Sequence, residues 1–160
     1  MQKLFIERRA SDNKYLHRDF HIAFDRGLRY LAMKYGGAAV EEYLAGFARD
    51  YYAPLIANAK TAGFAALAGH LKGVYAAEEA ADDLRIDETA NNMNVCVRRC
   101  PAVTYMRGAG YEPSEWFALS TSVIYKTVAA EAGLGFSMVS RDNATGAAEF
   151  RFYQTEGVNA

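Results

Sequence analysis

Cysteine is almost missing from this chain: there are two in 160 residues, both between Met93 and Val103. Four positions apart on one extended strand, Cys96 and Cys100 would stand roughly 13 Å apart at about 3.3 Å per residue. A disulfide tolerates only about 7 Å between Cα atoms, so free thiols are expected, as in a reducing compartment. The spacing also fits no common zinc knuckle. A charge excess is missing too, since 18 basic residues meet 19 acidic ones for a net charge of −1. Phosphate neutralisation needs a basic surplus, which argues against nucleic acid as a partner, and nothing here forms a polybasic membrane anchor. No apolar run approaches the ~20 residues that cross a bilayer, and the stretch Met1 to Arg9 has no signal-peptide core, so a cytoplasmic location is expected. GxGxxG, Walker, GxSxG and EF-hand patterns are all absent, which leaves nucleotide-driven chemistry without support. Repeats, low-complexity segments and linkers are absent as well.

Aromatic residues are plentiful: eleven Tyr and nine Phe. They predict an aromatic-rich core or pocket in a single domain spanning 1–160, with 1–11 and 154–160 as loosely ordered tails. Helical spacing of Leu16, Phe20, Ala23, Phe24, Leu28 and Leu31 predicts a first helix, capped by Ser11 or Asp12 and ended by Gly36-Gly37. A second helix is predicted over 38–52, with Val40, Tyr43, Leu44, Phe47 and Tyr51 on its apolar face. A third long segment carries Phe64, Leu67, Leu71, Val74 and Tyr75 into an acidic exit, Glu78 to Asp83. The pattern then turns strand-like at Leu84 to Asp87, and Met93, Val95 and Val97 alternate with polar residues up to Pro101. Proline cannot donate to a ladder, so pairing is expected to end at Cys100. A short helix from Ala102, a long one from Ser114 to Ala132, and a hairpin turning at 142–146 complete the chain. Helices followed by strands predict an α+β fold, with N-terminal helices packed on an antiparallel sheet of about four strands and one further long helix.

Several residues are candidates for chemistry. His17 and His21 are one helical turn apart and can share a face, as a general base or a metal-ligand pair. Cys100 lies beside Arg98 and Arg99, where positive charge eases ionisation, and a regular strand would turn Cys96, Arg98 and Cys100 the same way. Ser120 interrupts an apolar helix face, so its hydroxyl needs either a ligand or a carbonyl one turn back. Arg151 suits a carboxylate, or else an ordinary cross-strand ion pair. Trp116, the sole tryptophan, suits a pocket mouth or a core anchor.

The segments Tyr15 to His21, Tyr51 to Ile56, Arg99-Cys100-Pro101-Ala102-Val103, Gly110 to Ser114 and Thr145 to Tyr153 have a combined character. Together they resemble the L-2-amino-thiazoline-4-carboxylic acid hydrolase-like family over roughly residues 12–153. The resemblance implies a hydrolase acting on a non-peptide C–N bond of a small cyclic carboxylic acid, opening a thiazoline ring at its C=N carbon. A fainter likeness to vinyl-reductase-type sensor domains implies small-molecule binding without hydrolysis.

Two readings therefore stand side by side. In the first, Cys100 attacks the amidine-like carbon or His17 or His21 activates water. Arg98 or Arg151 holds the substrate carboxylate, Tyr105 or Ser120 donates to the developing anion, and Trp116 lines the pocket. In the second, the chain is a non-catalytic sensory or binding domain with an aromatic pocket. No cofactor is expected; zinc on His17, His21 and a thiolate is the alternative. The expected partner is a small-molecule ligand or substrate, with a homodimer left open.

Overall fold

The computed structural model describes Arg18 and residues 20–155. The expected cap at Ser11 or Asp12, His17, and the loose tails over 1–11 and 156–160 lie outside the described residues. Six helices and four strands follow in the order α1 (Phe20–Tyr35), α2 (Gly37–Tyr51), α3 (Ala53–Ala62), α4 (Phe64–Ala77), a 3-10 turn (Ala81–Asp83), β1 (Leu84–Glu88), β2 (Asn92–Val97), α5 (Pro101–Gly108), α6 (Glu115–Glu131), β3 (Leu134–Arg141) and β4 (Ala148–Gln154). The fold is α+β, and the sheet is antiparallel throughout in the order β1-β2-β4-β3. Gln154, expected in the tail, still belongs to β4 and donates to the Asn91 carbonyl at 3.0 Å. Among the described residues, no helix is long and apolar enough to cross a membrane.

Period-two alternation sorts the sheet into two faces. Met93, Val95, Val97, Phe150 and Phe152 are buried toward the helices, while Asn94, Glu149 and Arg151 point outward and are exposed. The register sets Val95 against Phe150 and Met93 against Phe152, so the largest apolar side chains stack across the strand pair. α6 packs on α2 and on β3, and so bridges the helices and the sheet. Val40, Leu44 and Ala48 are fully buried along α2. Tyr43 and Tyr51, expected on that face, are 46% and 68% exposed. They stack on Phe47 one turn away, at centroid distances of 6.5 and 5.1 Å, so their rings run along the helix surface. α1 departs from its apolar stripe at Asp25, which is completely buried.

The cysteine segment bends earlier than expected. β2 stops at Val97, because the Arg98 N–H donates to the Asp83 carbonyl at 2.8 Å and both arginine side chains turn to the Asp83 carboxylate. Pro101 then opens α5, with Cys100 as the residue before its first turn. The two cysteines therefore do not share a face. Cys96 is in register with Arg85 and Glu149 on the outer side of the sheet. Cys100 sits beneath the β3–β4 turn, where its N–H donates to the Thr145 carbonyl at 3.1 Å.

That turn is organised by Asp142. Its carboxylate accepts from the Thr145 hydroxyl at 2.6 Å and from the N–H of Ala144 at 3.0 Å, and these bonds hold its pKa below the ordinary value. Gly146 closes the turn at φ +69°, and a Cβ there would run into the Cys100 side chain and come within 2.9 Å of Val103. Gly146→Ala is expected to cost about 2–4 kcal/mol from left-handed backbone plus overpacking. Urea unfolding checks this. A loss no larger than that of an exposed-loop substitution would mean that the turn does not press on Cys100.

Candidate functional site

A set of polar groups meets inside the fold. α4 presents its apolar residues Phe64, Leu67, Leu71 and Tyr75 to the core, and Glu78 caps its end. α4 closes in a Schellman turn: Ala80 N–H reaches the Tyr75 carbonyl at 2.8 Å, and Glu79 N–H reaches Ala76 at 3.1 Å. The left-handed position of that turn, normally a glycine site, is held by Glu79 at φ 58°, at a cost of about 1–2 kcal/mol. The turn leaves the Glu78 carboxylate inside, 5% exposed, with His21 Nε2 of α1 at 3.1 Å. A carboxylate this deep needs a hydrogen-bonded partner, and the imidazole provides one. The His21 ring itself sits edge-on to Phe117 of α6.

Cys100 and Arg141 complete the set. Arg141, on the last position of β3, pairs with Ala148 and so belongs to the inner face. The charges of Cys100, Asp83, Arg141 and Glu78 all act on the Tyr75 hydroxyl, whose pKa burial pushes far above its usual range. Burial likewise pushes the Cys100 thiol up; the N–H groups of Val103 and Ala102 and the Arg141 cation oppose the rise, and Glu78 adds to it. Tyr125 of α6 is pushed up by burial and by the neighbouring Tyr52, Tyr75 and Cys100. Tyr125 and Cys100 are enclosed by protein, yet each keeps part of its surface accessible. The Tyr125 ring packs against Phe136 and stacks on Phe150.

The expected ionised thiol beside Arg98 and Arg99 is thus corrected. Those two arginines lie outside, paired with Asp83, and the cation that reaches Cys100 is Arg141. Desolvation outweighs it, so Cys100 rests as a neutral thiol. In a Cys96→Ser background, the midpoint of alkylation by iodoacetamide is expected above the ordinary thiol value of about 8.5. Arg141→Met removes a stabilising cation and moves the midpoint higher, while Glu78→Gln removes an anion and moves it lower. Shifts of the opposite sign would break the assignment of these neighbours.

The other sequence candidates scatter. Arg151 projects from the outer sheet face over the Tyr153 ring. The Ser120 hydroxyl donates to the Phe117 carbonyl at 2.7 Å, one turn back. Trp116 lies against the backbone of α2, where a Cβ on Gly37 would approach the indole within 2.9 Å, so it anchors two helices together. Tyr105 packs with Cys100 around the small cluster of Ala102, Val103 and Met106. His17 lies outside the described residues. Among the described residues, no three His, Cys, Asp or Glu side chains gather as a metal site.

Glu78, Tyr75, Arg141 and Tyr125 were missed. Glu78 read as part of an acidic exit, and Arg141 fell between the predicted strand and the 142–146 turn. A depression of about 650 Å³ crosses the end of the sheet, lined by Arg85, Cys96, Arg98 and Glu149. It is broad, and Arg98 within it already pairs with Asp83. Arg141 lines this depression, and its charge also acts on Cys100 and Tyr75. No family model matches the chain, and no curated protein or solved structure matches it.

Proposed function

We propose that the cluster of Cys100, His21, Glu78 and Arg141 binds a small cyclic carboxylic acid and adds water at its C=N carbon, as the family resemblance implies. The observation that carries this reading is the convergence of a cation, a hydrogen-bonded imidazole–carboxylate pair and a neutral thiol from four separate elements. Arg141 takes the carboxylate role in place of Arg98 and Arg151, because its buried Nε has no partner among the described residues. His21, oriented by Glu78, takes a proton from water as the oxygen adds to the carbon. The C=N electron pair moves to nitrogen, which receives the Cys100 thiol proton. The resulting thiolate is met by Arg141 and the α5 N–H groups. As the carbon–nitrogen bond breaks, the imidazolium returns its proton to that nitrogen and the new hydroxyl returns one to sulfur. One water is consumed, a carbonyl and an amine form, and both side chains are restored.

The neutral state of Cys100 favours a second reading, in which the same cluster binds such an acid without turnover. Incubation with 2-amino-thiazoline-4-carboxylate separates the two. Ring opening that Arg141→Met weakens mainly through KM supports hydrolysis. Saturable binding with the compound recovered intact supports the binding domain. No binding at all would remove both.

A further inference from the structure

Large apolar side chains left in solvent are concentrated on two helices. Among the described residues, six of the eight exposed ones lie on α1 and α2: Phe20, Tyr30, Met33, Tyr35, Tyr43 and Tyr51. A surface patch of this kind marks a place where something docks. Ring contacts join it across the two helices, from Phe20 to Phe24 at 5.8 Å, Phe24 to Phe47 at 5.9 Å and Phe47 to Tyr51 at 5.1 Å. Gly36 alone links α1 to α2; Phe24 stands twelve residues before it and Phe47 eleven after it. The helices therefore run antiparallel, with these two rings level.

The charges on this face favour a second copy of the chain as its occupant. Lys34 is exposed at the linked end of α1, four positions after Tyr30, and donates to its hydroxyl at 3.2 Å. Asp50 is exposed at the far end of α2, seven positions after Tyr43 and three after Phe47. Each thus shares a face with the aromatic residues. Lys34 lies ten residues beyond Phe24, and Asp50 lies three beyond Phe47 in the opposite direction. At ~1.5 Å per residue they are about 20 Å apart along the helices, and packed helices stand about 10 Å apart across. A cation and an anion at opposite corners make one face complementary to itself. We infer that the α1–α2 face is the contact of a two-fold symmetric homodimer, with Lys34 of each copy opposite Asp50 of the other. The axis lies in the interface, and the helices of the two copies cross at roughly 50°, an ordinary packing angle. The crossing falls between Gly27 and Tyr43. A Cβ on Gly27 would meet nothing within 4 Å, which leaves room for the second copy to approach closely.

Sedimentation velocity on the full chain tests this. The wild type is expected to run as a dimer at about 100 µM, within reach of a modest interface. Lys34→Glu and Asp50→Lys each turn two attractions into two repulsions, and each is expected to weaken the dimer roughly tenfold or more. Mixed one to one, the two variants are expected to recover the dimer, because a mixed pair carries opposite charges at both corners. Mixing would not rescue misfolded protein, so recovery also shows that each variant folds. Tyr43→Asp, at the crossing, is expected to leave only monomer. A wild type that stays monomeric at about 100 µM overturns the inference and gives the face to a different partner. A dimer that both charge reversals leave intact, or that mixing fails to recover, overturns the pairing of Lys34 with Asp50.

Discussion

Replacing Asp25 by alanine will destabilise the protein by about 3–5 kcal/mol, the range for removing one partner of a buried charged network. Asp25 is 0% exposed. Its carboxylate accepts from the Tyr111 hydroxyl at 2.7 Å, the Ser114 N–H at 3.1 Å, the Ser114 hydroxyl, and Arg29 Nε at 3.1 Å. It thereby ties α1 to the segment that caps α6, and that same Ser114 oxygen accepts from the Phe117 N–H. Alanine would leave these donors facing an apolar gap, each costing on the order of 1–3 kcal/mol before relaxation. The cation is the minor part. Arg29 is 47% exposed, so Arg29→Met lets solvent replace the lost charge and will cost about 1 kcal/mol or less. For a chain of this size, 1 kcal/mol moves Tm by about 2–4 °C, so the Asp25 variant will melt roughly 6–20 °C lower. Thermal and urea unfolding of the two variants check the ranking. Equal losses would mean that the ion pair, rather than the buried acceptor, carries the clamp.

The second large effect is kinetic and follows from the proposed hydrolysis. His21→Gln will lower turnover by about 10²–10⁴-fold, the ordinary contribution of a positioned general base. Glutamine can still donate to Glu78, so the buried carboxylate keeps a partner and the fold is retained. What glutamine cannot do is take a proton from water. The rate will therefore fall while the fold is kept. A structural role for His21 predicts the reverse pattern: His21→Gln would keep the rate, and His21→Ala would lose it together with stability. Unchanged turnover in His21→Gln would remove His21 from the chemistry.

Much of the architecture was legible from residue order. Apolar residues three and four apart placed the helices, alternation placed the strands, and Pro101, Pro113 and the 142–146 turn punctuated the second half. These signals are local, because a helix or a strand must bury one face whatever it packs against. The errors also share a cause. Tyr43 and Tyr51 counted as core because tyrosine is apolar over most of its area, yet they stack along a solvent face. Asp25 was invisible because a single carboxylate in an apolar stripe carries no sign of the donors it will meet from residues more than eighty positions away.

The candidate site was legible only in part. Cys100 and His21 were named from residue type and spacing, and both stand at the interior cluster. The groups that give them a chemical setting come from elsewhere: Glu78 from an acidic run, Arg141 from the end of a strand, Tyr125 from α6. The expected neighbours Arg98 and Arg99 are adjacent in sequence but are drawn outward by Asp83.

The amino-acid order by itself determined an α+β chain with free thiols, balanced charge and an aromatic interior, because periodicity, composition and turn chemistry act over a few residues. Only the tertiary structure decided that the Cys100 thiol is neutral, that Arg141 is the cation beside it, and that His70 Nε2 has no hydrogen-bond partner among the described residues. Ionisation and hydrogen-bond satisfaction depend on burial and on partners brought together across the whole fold, and neither is written in the neighbouring residues.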